Sequence, residues 1–217
     1  MGTTTVGTSS AKNLGVTFDE SMTFSNHVTD VARRCTGILS GLSHSRHYLP
    51  KSTLATLVQA LVVSSIRYAI VVYGGCGVTQ MSRLQRLINF GARVVSGKRK
   101  YDHVSEVLKE LRWLSAENMW RLQSVTLLKK ILETGEPEAL SNAIVSRGSV
   151  HGRDTRQADL LDLPVIRTES GRRRFLYATV SQYNALPQAL RNLGHRLFRR
   201  EYRKLLLREQ HGDPASV

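Results

Sequence analysis

Phosphoryl transfer needs acidic side chains close enough to share metal ions, because both the attacking and the leaving oxygen carry developing negative charge. The chain has no adjacent pair of aspartates. Its densest acidic run, Asp154, Asp159 and Asp162, is interleaved with Arg153, Arg156 and Arg167 in a stretch that reads as a loop, so pairing within the run is the economical reading. Nucleophilic chemistry is equally short of parts: no G-x-S-x-G elbow occurs, and Cys76, set in Gly74-Gly75-Cys76-Gly77, has no neighbouring histidine to lower its pKa. His44 and His47 lie three apart on a helical stretch without an identifiable third ligand, and the 74–77 glycines do not follow a strand in dinucleotide-binding spacing. The sequence thus points to no catalytic residue, no metal site, no cofactor and no small-molecule substrate.

Anion binding is better supplied. On a wheel of about 100° per residue with Arg196 at the origin, Arg199, Arg200, Arg203 and Lys204 share its arc, while Phe198, Tyr202, Leu205 and Leu206 take the opposite one. These cations, with one acid between them, repel one another unless an anion lies across them. Arg172, Arg173 and Arg174 form a second cluster at the expected start of a helix, where cations oppose the macrodipole and call for Glu169 with Asp159 and Asp162, or for phosphates, to offset them. A third cluster joins Arg93 to Lys98, Arg99 and Lys100 and sets Tyr101 beside them, one ring able to stack on a base next to charges able to hold phosphate. Arg83 and Arg86 extend the basic side of the same helix. Aromatic residues are 6% of the chain, too few for a long stacking platform, so contacts are expected mainly to backbone, with weak sequence discrimination.

The bulk composition agrees. Among 217 residues, 31 Lys and Arg stand against 17 Asp and Glu, a net charge of +14 that favours polyanionic partners. The 41% hydrophobic content is enough for a packed core and excludes a wholly disordered basic tail. Cys35 and Cys76 are too few for a disulfide scaffold, and no secretory leader or myristoylation pattern opens the sequence, so an intracellular protein of the nucleus or cytoplasm is expected. One apolar stretch, 54–73, invites a membrane reading. Its ten Leu, Ile and Val gain about 3–6 kcal/mol on insertion, but a central Arg67 alone costs about 2.5–3.5 before Gln59 and the Ser and Thr residues are counted. A helix buried on most of its circumference, with Arg67 at an edge, is the better reading, and no membrane partner is expected.

The expected class is mainly α. Residues 1–11 read as a disordered lead-in, and 12–26 as a strand or hairpin region built on Leu14, Val16 and Phe18. Residues 27–145 read as a helical domain: the seam Val28, Val31, Cys35, Ile38, Leu42 predicts a helix ended by Pro50. Ser52 or Thr53 would cap the buried helix, the 74–77 glycines would stop it, and Thr79 would cap a helix with the stripe Met81, Leu84, Leu87, Ile88, Gly91, Val94 and Val95. A short helix at 104–111 and a longer one at 116–132 follow, closed by Gly135 and Pro137. Residues 146–159 read as a mobile linker, 160–166 as extended because of Pro164, and 160–210 as a basic helical subdomain with helices near 172–186 and 193–207. A disordered tail, 211–217, completes the chain.

Several of these stretches together resemble the C-terminal part of the reverse transcriptase of non-LTR (LINE-type) retrotransposons, over about residues 12–207. Lys12-Asn13-Leu14-Gly15-Val16, followed by Phe18-Asp19, Phe24 and His27-Val28, is similar to that family's primer-grip region. Arg67-Tyr68-Ala69 to Tyr73-Gly74 resembles its "YA…W/YG" helix end, and Arg83-Leu84-Gln85-Arg86 through Ala92-Arg93 to Gly97 its "LQRxQNxAARxxxG" helix. Tyr101-Asp102-His103, Leu108, Leu111 and Trp113-Leu114 continue the match, and Tyr183-Asn184-Ala185-Leu186-Pro187 resembles "WNxLP" with Tyr in place of Trp. The resemblance implies a thumb and following linker that grip a template–primer duplex of RNA or DNA. Leu14 and Gly15 would lie near the primer terminus with Lys12 close to phosphate, while Arg83, Arg86, Arg93 and 98–100 track the duplex. The family's Tyr/Phe-x-Asp-Asp motif and its magnesium ions would lie N-terminal to Lys12, outside this sequence, so this stretch is expected to bind without catalysing, with the fingers and palm part of the polymerase as a possible partner.

Two other readings remain. The apolar helices could serve a protein-interaction or structural module with only nonspecific polyanion affinity, or a basic helix with an exposed apolar face could lie on anionic lipid.

Overall fold

Two short strands open the described part of the computed structural model, which comprises residues 9–151, 159–163 and 165–212. Strands β1 (Ser10–Asn13) and β2 (Val16–Asp19) pair antiparallel, with Asn13 opposite Val16 and Ser10 opposite Asp19. Leu14 (φ 44°) and Gly15 (φ 81°) are both left-handed, as a two-residue hairpin of the strand-matching twist requires. Most of the described residues are helical, which places the protein in the mainly α class. The chain divides into two compact units, Met1–Ala116 and Glu117–Val217.

In the first unit, the Asp19 carboxylate launches helix α1 (Ser25–Ser45). It accepts hydrogen bonds from the Thr23 and Phe24 amides at 2.9 and 2.7 Å and from the Thr23 hydroxyl at 3.1 Å; the Thr23 amide is the main reason its pKa is held below the ordinary carboxylate value. Val28, Val31, Cys35 and Leu39 are buried; Leu39 takes the position expected for Ile38, which is half-buried. A 3₁₀ turn, Arg46–Tyr48, leads to Pro50, which sits at the N-cap of α2 (Lys51–Val58), so Ser52 and Thr53 lie inside the first turn and do not cap it.

The expected single buried helix over 54–73 is not formed. After α2 the chain makes a π turn, Gln59–Val63, then α3 (Ser64–Arg67), breaks at Tyr68 and Ala69, and resumes as α4 (Ile70–Tyr73). Only one side is buried. The extra residue of the π turn puts both Val62 and Val63 in the core, while Gln59, Leu61, Arg67 and Val72 are exposed. At the break, Ala69 adopts φ 53°, and the buried Tyr73 hydroxyl donates to the Ile66 carbonyl. That bond satisfies an acceptor next to the interruption.

Helix α5 (Val78–Ser96) starts from Gly77 rather than Thr79 and ends at Gly97, whose φ of 73° suits glycine at a helix C-terminus. Its buried stripe is Leu84, Leu87, Ile88, Gly91, Ala92, Val94 and Val95, packed chiefly on α1 and α2. Helix α6 (Ser105–Glu110) and the buried Trp113 and Leu114 close this unit, where the Gln85 side chain accepts from the Ala116 amide at 2.8 Å.

Helix α7 (Ala116–Thr134) belongs to the second unit, so the division falls well before the linker expected at 146–159. Gly135 ends α7 at φ 72°. Short helices α8 (Glu138–Ser141), α9 (Arg147–His151) and α10 (Glu169–Arg172) precede α11 (Phe175–Asn184), α12 (Gln188–Arg191) and α13 (His195–His211). The expected linker is therefore structured over 146–151: Ser146 pairs with Leu161 in an antiparallel bridge, and its hydroxyl accepts from the Ser149 amide at 3.3 Å at the start of α9. The remainder, 152–158, with Arg153, Asp154 and Arg156, lies outside the described residues, as do Pro164, 1–8 and 213–217. Leu161 shows the extended backbone expected near 160–166. Helix α7 holds α13 along its length, with Asn118 donating to the Leu206 carbonyl and Arg121 paired to Glu209 at 3.2 Å. Glu133 accepts from the His195 amide at 2.8 Å, a carboxylate where the α13 N-terminus favours one.

Two expected outcomes test this architecture. A Cβ on Gly91 would lie 2.7 Å from Cγ1 of Val58, a β-branched side chain with one favoured helical rotamer. Overpacking of about 1–3 kcal/mol outweighs the helix-propensity gain of about 1 kcal/mol, so Gly91→Ala should destabilise by up to roughly 2 kcal/mol in denaturant unfolding. His27, 3% exposed, accepts at Nδ1 from the Thr17 amide at 3.4 Å and packs edge-on against Tyr73. Burial and then Arg34 and Lys12 lower its pKa from 6.5, outweighing Asp30. The unfolded chain then takes up the proton more readily, so the contribution of His27 is fully present above pH 6.5 and lost as pH falls through the folded value. Unfolding curves of the wild type and His27→Phe should diverge in pH dependence below about pH 6.5 and run parallel above about pH 7.5.

Candidate nucleic-acid interface

The C-terminal half of α5 and the loop after it build a cleft of about 750 Å³ in the first unit. Among the described residues six cations line it, Arg46, Arg86, Arg93, Lys98, Arg99 and Lys100, and no carboxylate does. Arg86, Phe90, Arg93 and Gly97 recur at helical spacing, so one side of α5 supplies one wall. Arg46 enters from the 3₁₀ turn after α1, and residues 98–101 complete the cleft.

The loop is held by its own backbone. The Asp102 amide donates to the Arg99 carbonyl at 3.2 Å and the Asp102 carboxylate accepts from the Arg99 amide at 2.8 Å, forming a turn with Lys100 and Tyr101 at its tip. Arg93 donates twice to the Asp102 carbonyl, at 3.3 and 3.1 Å, and Lys98 once to the His103 carbonyl at 2.7 Å. Carbonyl partners position these groups without cancelling their charge. Tyr101 is 84% exposed, and Lys100 Nζ lies 5.3 Å from its ring centre, a cation–π contact.

The sequence singled out Arg86, Arg93, Lys98, Arg99, Lys100 and Tyr101 for this role, and the structure brings all six together. Arg83 is elsewhere: it is half-buried and donates to the Thr29 hydroxyl at 3.0 Å, linking α5 to α1, and to Oε1 of the Gln80 side chain at 3.1 Å. Seven residues separate it from Phe90, about 10 Å along the helix. Arg46 was not anticipated. It follows the apolar seam of α1 in an irregular turn, where periodicity carries no signal.

Lys12, Leu14 and Gly15 line a second cleft, of about 470 Å³, with Arg33, Arg34, His27, Asp30 and Tyr68. Here charge is mixed, since Arg33 pairs with Asp30 at 3.3 Å. The Tyr68 hydroxyl donates to the Leu14 carbonyl at 2.8 Å, and its ring lies 3.4 Å from where a Gly15 Cβ would stand. The hairpin tip therefore rests on the residue at which the α3–α4 helix breaks.

In the second unit, α13 presents the two faces expected of it. Phe198, Tyr202 and Leu206 are fully buried, with burial raising the Tyr202 pKa to about 12, whereas Arg196, Arg199, Arg200, Arg203 and Lys204 are exposed. Glu201 is shared, accepting from Arg200 at 2.9 Å and Lys204 at 3.0 Å, and those two bonds hold its pKa down. Arg172, Arg173 and Arg174 are exposed but do not all start a helix. Arg172 ends α10, where the macrodipole welcomes a cation, and only Arg174, the N-cap of α11, opposes it. Asn184 had no assigned role; its side-chain amide both donates to and accepts from the Leu161 backbone, at 2.8 and 3.0 Å, clamping the extended segment to α11.

Among the described residues no group of three or more His, Cys, Asp or Glu side chains converges as metal ligands, and no helix is long and apolar enough to cross a membrane. The chain matches no protein-family model, and neither a curated protein nor a solved structure resembles it significantly.

Removing the Tyr68 hydroxyl tests the link between hairpin and helix break. Tyr68→Phe should cost only about 0.5 kcal/mol, because the bond is exposed, yet should speed amide exchange in β1 and β2 while leaving α5 unaffected.

Proposed function

We propose that this chain is a non-catalytic nucleic-acid-binding portion of a non-LTR retrotransposon-type reverse transcriptase, holding the phosphate backbone of an RNA or DNA template–primer through its arginine and lysine clusters. The observation that carries the reading is the cleft beside α5, where six cations gather without a lining carboxylate and two are fixed by carbonyl groups. Such an arrangement lowers the free energy of any multiply charged anion laid across it, and phosphate chains supply charge at regular spacing. The exposed side of α13 and residues 172–174 would extend contact to further phosphates. On this reading the paired aspartates and metal ions of polymerisation belong to a part of the polymerase outside this chain, and that part is its natural protein partner.

A second reading, an interaction module, draws on the exposed Leu14 and Tyr68, which touch one another at the hairpin tip. A lipid-surface role draws no support from α13, whose apolar face is already buried.

Salt titration separates these. Binding that neutralises Z phosphates weakens with a log–log slope of about −0.9Z for B-form DNA or about −0.7Z for single strands. Arg86, Arg99 and Lys100 are exposed and make no ion pair among the described residues, so reversing all three to Glu should preserve the fold by circular dichroism and flatten the slope by roughly 2–3. Reversing Arg199, Arg200 and Arg203 should act likewise on the second unit's share. A slope indifferent to both triplets, with partner-protein binding intact, favours the interaction module.

A further inference from the structure

The cleft beside α5 is not uniformly polar. Val94, 2% exposed, and the half-buried Phe90 lie among its lining residues, whereas Arg86, Arg99, Lys100 and Tyr101 stand exposed. Its depth is therefore apolar and its mouth cationic. A duplex keeps its bases stacked inside and offers only phosphates and sugars to such a mouth, leaving the apolar depth unused. A single strand can turn a base outward, and its flanking phosphates then fall on the rim.

We propose that the cleft seats an unpaired nucleobase of a single-stranded segment, with Tyr101 stacking on that base and Arg86, Arg99 and Lys100 holding the adjacent phosphates. The inference rests on the polyanion reading above and adds to it a preference for unpaired over paired strands at this position. Three features support it together. The volume of about 750 Å³ lies within the range of small-molecule sites and accommodates a nucleotide. Tyr101 is held at a turn tip with its ring exposed and Lys100 beside it, an aromatic–cation pair suited to a flat π-face and a phosphate. Arg93 and Lys98, tied to the carbonyls of Asp102 and His103, keep the turn against the end of α5 without neutralising the charge at the mouth.

The test measures binding of the whole chain to three labelled probes of about 12 nucleotides: single-stranded oligothymidylate, an abasic strand of equal charge, and a base-paired duplex. The oligothymidylate should bind more tightly than the abasic strand, and Tyr101→Ala should weaken it roughly 5- to 100-fold while leaving the abasic and duplex affinities and the salt slope unchanged. Tyr101→Phe should restore most of the loss. Equal affinity for the abasic strand, or indifference to Tyr101→Ala while the charge reversals still act, overturns the base-seating inference and leaves the backbone reading standing. Salt-insensitive binding of all three probes overturns both. An acidic amphipathic peptide that displaces oligothymidylate and depends on Tyr101, with no discrimination against the abasic strand, would show a protein helix as the occupant and overturn the inference.

Discussion

Close approach at Gly91 is the constraint on which the first unit depends. Where other residues carry a Cβ, this position offers only hydrogen, and Val58, Trp113 and Leu39 fill the space. Helix α5 thereby settles against α2 and α1, bringing Arg46 of the turn after α1 to the wall carrying Arg86 and Arg93. A bulkier residue would part these helices and widen the cleft before it altered any charge. The packing of apolar side chains and the placement of cations are thus two results of one contact.

The two units treat their positive charge differently. Around the cleft the cations that are tied down bond to carbonyl oxygens, so their field persists. On α13 a carboxylate, Glu201, stands between Arg200 and Lys204 and softens mutual repulsion along an exposed face. The pairs Arg121–Glu209 and Lys129–Glu133 join this internal compensation at the edges of α7. Partly exposed pairs of this kind add little stability, and their effect is rather to shape where the surface remains positive.

Much of this was legible in the sequence because period and chemistry agreed. The faces of α13 follow from a wheel, and strand β2 from alternating Val16 and Phe18, whereas Leu14 proves to be a turn residue and Ser10 and Ala11, read as lead-in, pair in β1. The stretch at 54–73 misled for the opposite reason: a left-handed alanine has no local signal, and the break is supported by the hydroxyl of Tyr73 reaching back to Ile66. Arg83 looked identical to Arg86 on the wheel, yet Thr29, more than fifty residues earlier, captures it. The position of α7 was likewise set by partners some ninety residues later, Leu206 and Glu209. Within Tyr183-Asn184-Ala185-Leu186-Pro187 the asparagine proves to be a clamp on Leu161, a partner more than twenty residues earlier.

The carbonyl bonds that hold Arg93 and Lys98 bear on heat as well as on position. Long basic side chains carry up to about 2 kcal/mol of rotameric entropy each, which an incoming ligand must ordinarily suppress. Here that freedom is surrendered when the 97–103 loop folds, before any ligand arrives. Recognition at this end of α5 should accordingly have a gentler entropic penalty than recognition on α13, where Arg196 and Arg199 are exposed and must be stilled by the guest itself.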